Sequence, residues 1–401
     1  MSASTLAHDG GVTRCADGLA VEADLLVAAE RATRQVRDRL GRSPDLATVF
    51  VCHPDPAEAA AVLERAAKLS GATTTLGCSA PGVIGDGRGV ELVSAVSVWA
   101  AELPGATLRS FHLEVLRTTD SLAVVGMPGT RGDDRVALLL ADPYSFPADA
   151  FVEQTAEVLP GLPVVGGLGT GLRGAGSTRL MVDGVVHERG AVGVLIGGDV
   201  SVVALVSPGC RPVGTPMTVT AAEGNVLLGL AGMPAADKLE QVLAALPPQE
   251  QAMVTAGLQL GIAMDEYVDE FSRGDFLVRA VVDADTARRG LVVGDVVQVG
   301  RTVQFQVRDA ETAAADLGAR LSRLAGGGPY AGALLFSCTG RGSAMFRTAD
   351  HDVSLVRTAL GSDAAGAVAG FFAAGEIGPV AGRNHLHGFT ASLLAIGGLP
   401  D

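Results

Sequence analysis

The chain has 401 residues, with 30 Lys+Arg against 44 Asp+Glu and a formal net charge of −14. Hydrophobic residues make up 48 % and charged residues 18 %, with a mean hydropathy of +0.35; this excludes a disordered chain, which needs low hydrophobicity and high charge. A pI near 4.9 and the lack of any Lys/Arg-rich run exclude the basic footprint of a nucleic-acid binder, and no run reaches the ~18 consecutive apolar residues of a membrane span.

The N-terminal residues 1–18 carry neither a basic start nor an apolar core, so no signal peptide is expected. Residues 21–40 read as an amphipathic helix: Leu25, Ala29, Ala32, Val36 and Leu40 recur at helical spacing and Gly41 ends it. A β-branched run at 48–52, an alanine-rich helix at 56–69 and a strand entering a glycine loop at 73–85 follow, then strand-like runs at 91–100 and 107–116. The pattern returns as a strand at 135–143, a helix at 146–160, a strand with a glycine loop at 162–171 and strand-like runs at 178–186, 190–198 and 200–208. Residues 207–216 hold three prolines and two glycines, which marks a domain boundary. Beyond it come helices at 234–246 and 311–325, with strands at 276–285 and 296–309 between them. A third strand–helix–strand passage then occupies 332–342, 351–360 and 366–379.

Strands alternating with helices, plus meander strands, predict an α/β (α+β) fold of mixed sheets flanked by helices. Gly77, Gly82, Ile84 and Gly85 match Gly370, Gly375, Ile377 and Gly378 in spacing, each set after a strand ending in cysteine, Cys52 or Cys338. An internal duplication into two related domains, 20–207 and 216–398, accounts for this; chance similarity in a Gly/Ala-rich chain is the alternative. The five cysteines, Cys15, Cys52, Cys78, Cys210 and Cys338, are odd in number, widely spaced and without a C-x-x-C. Free thiols in a reducing cytoplasm are expected, with no disulfide framework and no zinc ribbon.

Several motifs together carry a family resemblance. FSCTGRG (336–342), GFFAAGEIGP (370–379) and NHLHGFT (384–390) resemble the C-terminal signature of the FIST family, named for F-box and intracellular signal transduction proteins. GCSAPGVIG (77–85) and VVGGLGTG (164–171) resemble its N-terminal motifs, and 211–243 resembles the segment that opens its C-terminal domain. The resemblance implies a sensory module that binds a small ligand, an amino acid being the usual suggestion, with its output passed to another protein. It implies no particular reaction.

The candidate site residues have physical rationales of their own. Glycine loops leaving strand ends, at Gly77, Cys78 and Ser79 and at Gly166 and Gly167, expose backbone N–H groups to an anion, or serve as tight turns between packed strands. A dinucleotide loop at 166–171 is disfavoured, because a strand and not the helix of the nucleotide fingerprint follows. Arg341 suits a bidentate grip on a carboxylate or a structural ion pair. Glu376 suits a ligand ammonium group or a loop-stabilising role. Cys338 is a nucleophile if a histidine stands beside it, or a small buried hydrophobe. Arg383, Asn384, His385 and His387 form the densest polar cluster; the two histidines share one side of a strand and bind either a metal or backbone groups. We expect Cys338, Arg341, Glu376, Asn384 and His387 to converge on one cavity, where Arg341 and Glu376 select a zwitterion, and we expect no cofactor or metal. A cysteine- or metal-dependent hydrolase or transferase and a protein-interaction adaptor are the competing readings. No P-loop, G-x-S-x-G elbow or H-E-x-x-H supports the enzyme.

Overall fold

A computed structural model describes residues 12–117, 122–361 and 366–397. The signal-peptide reading falls largely on residues 1–11, which lie outside the described residues. The chain first builds β1 (Arg14–Ala20), α1 (Leu25–Leu40), β2 (Leu46–Cys52), α2 (Pro56–Ser70), β3 (Thr74–Ser79), β4 (Gly82–Gly85), β5 (Arg88–Glu91) and β6 (Ala95–Glu102). A second passage gives β7 (Ala106–Arg117), β8 (Leu122–Val125), β9 (Asp134–Ala141), α3 (Ala148–Val158), β10 (Val164–Leu168), β11 (Leu180–Val182), β12 (Val185–His187) and β13 (Ala191–Gly198). A third opens with β14 (Ser201–Pro208). It is interrupted by β15 (Cys210–Glu223), β16 (Val226–Leu230), β17 (Met233–Pro234), α4 (Ala235–Ala245), α5 (Pro248–Ala256), β18 (Leu258–Ala263), β19 (Phe276–Asp285), β20 (Gly290–Val293) and β21 (Thr302–Arg308). It resumes with α6 (Ala310–Ala325), β22 (Tyr330–Cys338), α7 (Gly342–Phe346), α8 (His351–Leu360), β23 (Ala367–Ala373), β24 (Glu376–Val380), β25 (Arg383–His387) and β26 (Thr390–Gly397).

Local chemistry explains the helix ends. Asp24 accepts from the Leu26 and Val27 N–H groups, and Asp55 from those of Ala57 and Glu58, which caps α1 and α2. Gly41 and Gly71 close these helices at φ of 74° and 67°, where a Cβ is unfavourable.

The three passages are copies of one unit, and each lends a hairpin to the next sheet. The sheet orders are β1-β6-β2-β3-β11-β12, β8-β7-β13-β9-β10-β24-β25 and β14-β26-β22-β23-β4-β5. Each unit thus contributes its first strand, its last strand and its two parallel central strands to its own sheet, unit 2 adding β8 at the edge, and its β-hairpin to a neighbour's. Unit 1 receives from unit 2, unit 2 from unit 3 and unit 3 from unit 1. The parallel pairs β2–β3, β9–β10 and β22–β23 sit inside each sheet, with helices as crossovers. One glycine recurs at the same place in all three pairs. Gly77 opposes Val49, Gly166 opposes Leu139 and Gly370 opposes Leu335. A Cβ there would lie 2.4, 1.8 and 1.7 Å from the partner's carbonyl oxygen, so the backbones approach too closely for a side chain. The loops at 77–85 and 370–378 therefore hold equivalent positions, with 166–171 as their counterpart in unit 2.

The sheets face one another around a shared core. Leu46, Phe50 and Trp99 from the first meet Leu138, Leu140 and Val194 from the second and Leu334, Phe336, Phe371 and Leu394 from the third. Phe50, Phe336 and Phe371 form an aromatic cluster with centroids 5.2–6.5 Å apart, each pair contributing roughly 0.5–1.5 kcal/mol beyond burial. Helices cover the outer faces: α1 and α2 on the first sheet, α3 on the second, α6 and α8 on the third. Strands buried on both faces read as unbroken apolar runs, as the sequence shows at 48–52 and 332–338.

Residues 210–308 fold as a barrel between β14 and α6. Its strand order is β15-β21-β18-β19-β20-β16-β17, and β15 pairs again with β16 to close it. Leu227, Leu260, Val293 and Phe305 fill its interior. No helix among the described residues is long and apolar enough to cross a membrane.

Candidate functional site

Strands β22 and β23 end side by side, and their carboxyl ends gather the polar residues of unit 3. Cys338 closes β22, Arg341 follows at the mouth of α7, and Glu376 opens β24. Arg341 is wholly buried at 0 % exposure. Its Nε donates to Asp352 Oδ2 at 2.7 Å and its Nη2 to Oδ1 at 2.9 Å, a bidentate pair. Ser337 donates to the same carboxylate at 2.8 Å, and His351 Nδ1 meets it at 3.0 Å. Burial alone would raise the Asp352 carboxyl, but the Arg341 charge and these bonds hold it well below the usual carboxylate range. The guanidinium also stands 5.3 Å from the Phe346 ring centre.

Glu376 is buried beside this pair. Its Oε2 accepts from Thr390 N at 3.0 Å and from Thr390 Oγ1 at 2.9 Å. Burial outweighs these bonds and pushes the carboxyl up to about 8. Burial first, and Glu376 second, push the Cys338 thiol far up, so Cys338 sits here as a neutral thiol. Among the described residues, Arg341 Nη1 and Glu376 Oε1 have no hydrogen bond.

Arg383, Asn384 and His385 lie elsewhere, in a groove of about 410 Å³ between α3, the barrel and β25. Arg279 of β19 is its central strut. Its Nε donates to Asp295 at 2.7 Å, its Nη1 to the Leu386 carbonyl at 3.0 Å and its Nη2 to Asp149 at 3.3 Å, which ties barrel to helix and hairpin. Arg301 pairs with Glu266 at 3.1 Å. Arg383 and Glu153 line the same groove, and neither side chain has a hydrogen bond or ion pair among the described residues. Burial, with the Arg279 and Arg383 charges, lowers His385 to about 4, so the imidazole is neutral in the groove. Burial likewise pushes the Asp149 carboxyl up, despite Arg279.

The remaining candidates are held by structure. Asn384 Oδ1 accepts from Val164 N at 2.9 Å, and its Nδ2 donates to Thr155 Oγ1 and the Leu162 carbonyl at 3.0 Å. It thus clamps β25 to α3 and β10. His387 contacts the Gly378 carbonyl at 3.0 Å, and burial lowers it to about 3. Gly77, Cys78 and Ser79 lie buried in β3, and Ser79 Oγ accepts from Arg179 N at 2.9 Å. Gly166 and Gly167 lie in β10, packed on Leu139 and Ala373. None of these five lines the groove. The structure thus gathers Cys338, Arg341 and Glu376 in one buried cluster and Arg383, Asn384 and His385 in an open groove. Asp352, Arg279, Asp149 and Glu153 escaped the sequence reading. Arg279 had a signal: it is a lone cation in the apolar run 276–282, and such a group is costly to bury unpaired. Among the described residues, no group of three or more His, Cys, Asp or Glu side chains is placed to hold a metal.

These buried groups set a pH profile. His385 and His387 stay neutral in the fold but take up protons in the unfolded chain below about 6.5, so stability rises with pH from about 3 to about 6.5. Glu376 acts in the opposite sense. From about 4.5 to about 8 the folded chain keeps a proton that the unfolded chain has lost, so stability falls with rising pH across that window. Above 6.5 only this fall remains of the three, at up to about 1.4 kcal/mol per pH unit. Glu376→Gln should abolish it, as read from denaturant midpoints between pH 6.5 and 8. An unchanged decline in the variant would assign it to another group.

The family described as FIST N domain matches residues 45–233, and that described as FIST C domain matches residues 235–379. An uncharacterized protein of Mycobacterium tuberculosis (strain ATCC 25618 / H37Rv) is 42 % identical over 379 residues, 94 % of this chain and 97 % of the relative. An uncharacterized protein of Mycobacterium bovis (strain ATCC BAA-935 / AF2122/97) is 41 % identical over 379 residues, with the same shares covered.

Proposed function

Because the chain belongs to the FIST family, we propose that it senses a small amino-acid-like ligand in the groove and signals through a separate partner protein. Small-ligand sensing is the general role associated with FIST domains. The observation that carries the finer reading is the pair of uncommitted opposite charges, Arg383 and Glu153, in a groove of about 410 Å³. That volume suits a small molecule. Arg383 supplies a fork for a carboxylate and Glu153 an acceptor for an ammonium group. Neutral His385 adds a hydrogen-bonding side chain without adding charge.

The groove's position supports a sensing role. Its walls come from the barrel and from the three-sheet body, so a ligand bridging them favours one relative placement of the two. Differential affinity for two such placements is what makes binding a signal. The five unpaired cysteines, four of them buried, support a reducing, cytoplasmic setting.

A thermal-shift screen of the amino acids tests the proposal, because a ligand that binds only the folded state raises Tm. At least one amino acid should raise it saturably. Arg383→Gln should weaken that ligand by about tenfold or more, the loss of a charge-assisted contact. A screen with no saturable response, or an Arg383→Gln protein that binds like the parent, would refute it.

A further inference from the structure

Two of the three units place a helix between their first and second strands. α1 fills that position in unit 1 and packs along α2; α6 fills it in unit 3 and packs along α8. In unit 2 the described residues of that stretch form β8 and the irregular segment 126–133 instead. Among the described residues, helix α3 therefore has no helical neighbour of this kind, and a hollow of about 470 Å³ opens beside its C-terminal end.

The two sides of that hollow differ in chemistry. One is apolar: Leu159 and Leu162 line it together with Pro160 and Pro163, and the prolines bring no N–H groups. The other carries Arg131 and Arg135. The carboxylate between them, Asp134, is held mainly by Arg109, whose Nη2 donates to both its oxygens at 2.7 and 2.6 Å; it also accepts from the Arg131 backbone N–H at 2.7 Å and feels the Arg131 charge. Arg135 has only a long bond, Nε to the Gly198 carbonyl at 3.4 Å, and the Arg131 side chain has none among the described residues. Asp133 does not line the hollow. Two exposed arginines, neither of them in a salt bridge among the described residues, thus meet one apolar wall, in a chain whose net charge is −14.

We propose that this hollow binds a small organic monocarboxylate, with the carboxylate on Arg131 and Arg135 and the hydrocarbon body on the Leu159–Pro163 wall. The planar guanidinium fork matches a carboxylate, and the apolar wall rewards a body of a few carbons. This site is distinct from the groove, with which it shares no lining residue.

Calorimetric titration of the full chain with isovalerate and with phenylacetate tests it, against the corresponding amides and inorganic phosphate. At least one carboxylate should bind saturably, while its amide and phosphate bind at least about tenfold more weakly. The double variant Arg131→Gln/Arg135→Gln should lose about tenfold or more in affinity with its unfolding midpoint retained, since both side chains are exposed. Arg383→Gln should bind these acids like the parent, which separates the result from the groove. Three outcomes each overturn the proposal: no binding of either acid, equal binding of acid and amide, or a double variant that binds like the parent.

Discussion

Asp352→Ala should cost the fold about 3–5 kcal/mol, because it strands a wholly buried guanidinium. Arg341 would lose both bonds at 2.7 and 2.9 Å, and its Nη1 already has no hydrogen bond among the described residues. Ser337 would lose its acceptor as well. The double variant Arg341→Met/Asp352→Leu should be less destabilised than Asp352→Ala, because a pair of apolar side chains removes the desolvation cost along with the attraction. Urea unfolding of the two variants and the parent measures this. If Asp352→Ala costs less than about 1 kcal/mol, the ion pair is not what keeps Arg341 inside.

Gly370→Ala should be comparably severe. A Cβ at this position would sit 1.7 Å from the Leu335 carbonyl oxygen, which is backbone in a parallel ladder and cannot swing aside. Overpacking of ordinary cores costs about 1–3 kcal/mol; here the strands themselves must part, so about 3 kcal/mol or more is expected. Gly318→Ala is the contrast. Gly318 lies within α6 with nothing within 4 Å of its added Cβ, so the change should stabilise by about 0.5–1 kcal/mol. Opposite signs for two chemically identical substitutions would show that strand approach, and not glycine flexibility, fixes Gly370. Equal effects would contradict that.

Much of this architecture is written locally in the chain. Leu25, Ala29, Ala32, Val36 and Leu40 mark the buried stripe of α1, and Asp24 and Gly41 bound it, because helical periodicity and capping depend on neighbours a few residues away. The glycine spacing at 77–85 and 370–378 reports the repeat, because each copy meets the same backbone contact. The exchange of hairpins between sheets left no such mark. Gly370 pairs with Ile84, and Gly167 with Glu376, partners some two to three hundred positions apart that no window of sequence compares. The barrel was equally hidden, since each of its strands alternates as any half-buried strand does, and closure shows only in the pairing of β15 with β16.

The site divides the same way. Cys338, Arg341 and Glu376 stood out as polar residues in apolar, glycine-rich segments, and they do meet at one end of a sheet. What Arg341 faces was not legible, because Asp352 sits eleven positions on, across a turn and in another helix. The groove needed Asp149 and Glu153 of α3 together with Arg279 of the barrel, and nothing local joins those stretches to residues 383–385.

The central claim is that a zwitterion bridges the barrel and the three-sheet body in the groove. A crystal structure of the chain soaked with the amino acid that most raises its Tm tests this most directly. Density should appear between the barrel and α3, with the carboxylate on Arg383 and the ammonium group on Glu153. An amino acid bound at any other place, with the groove holding only solvent, would contradict it.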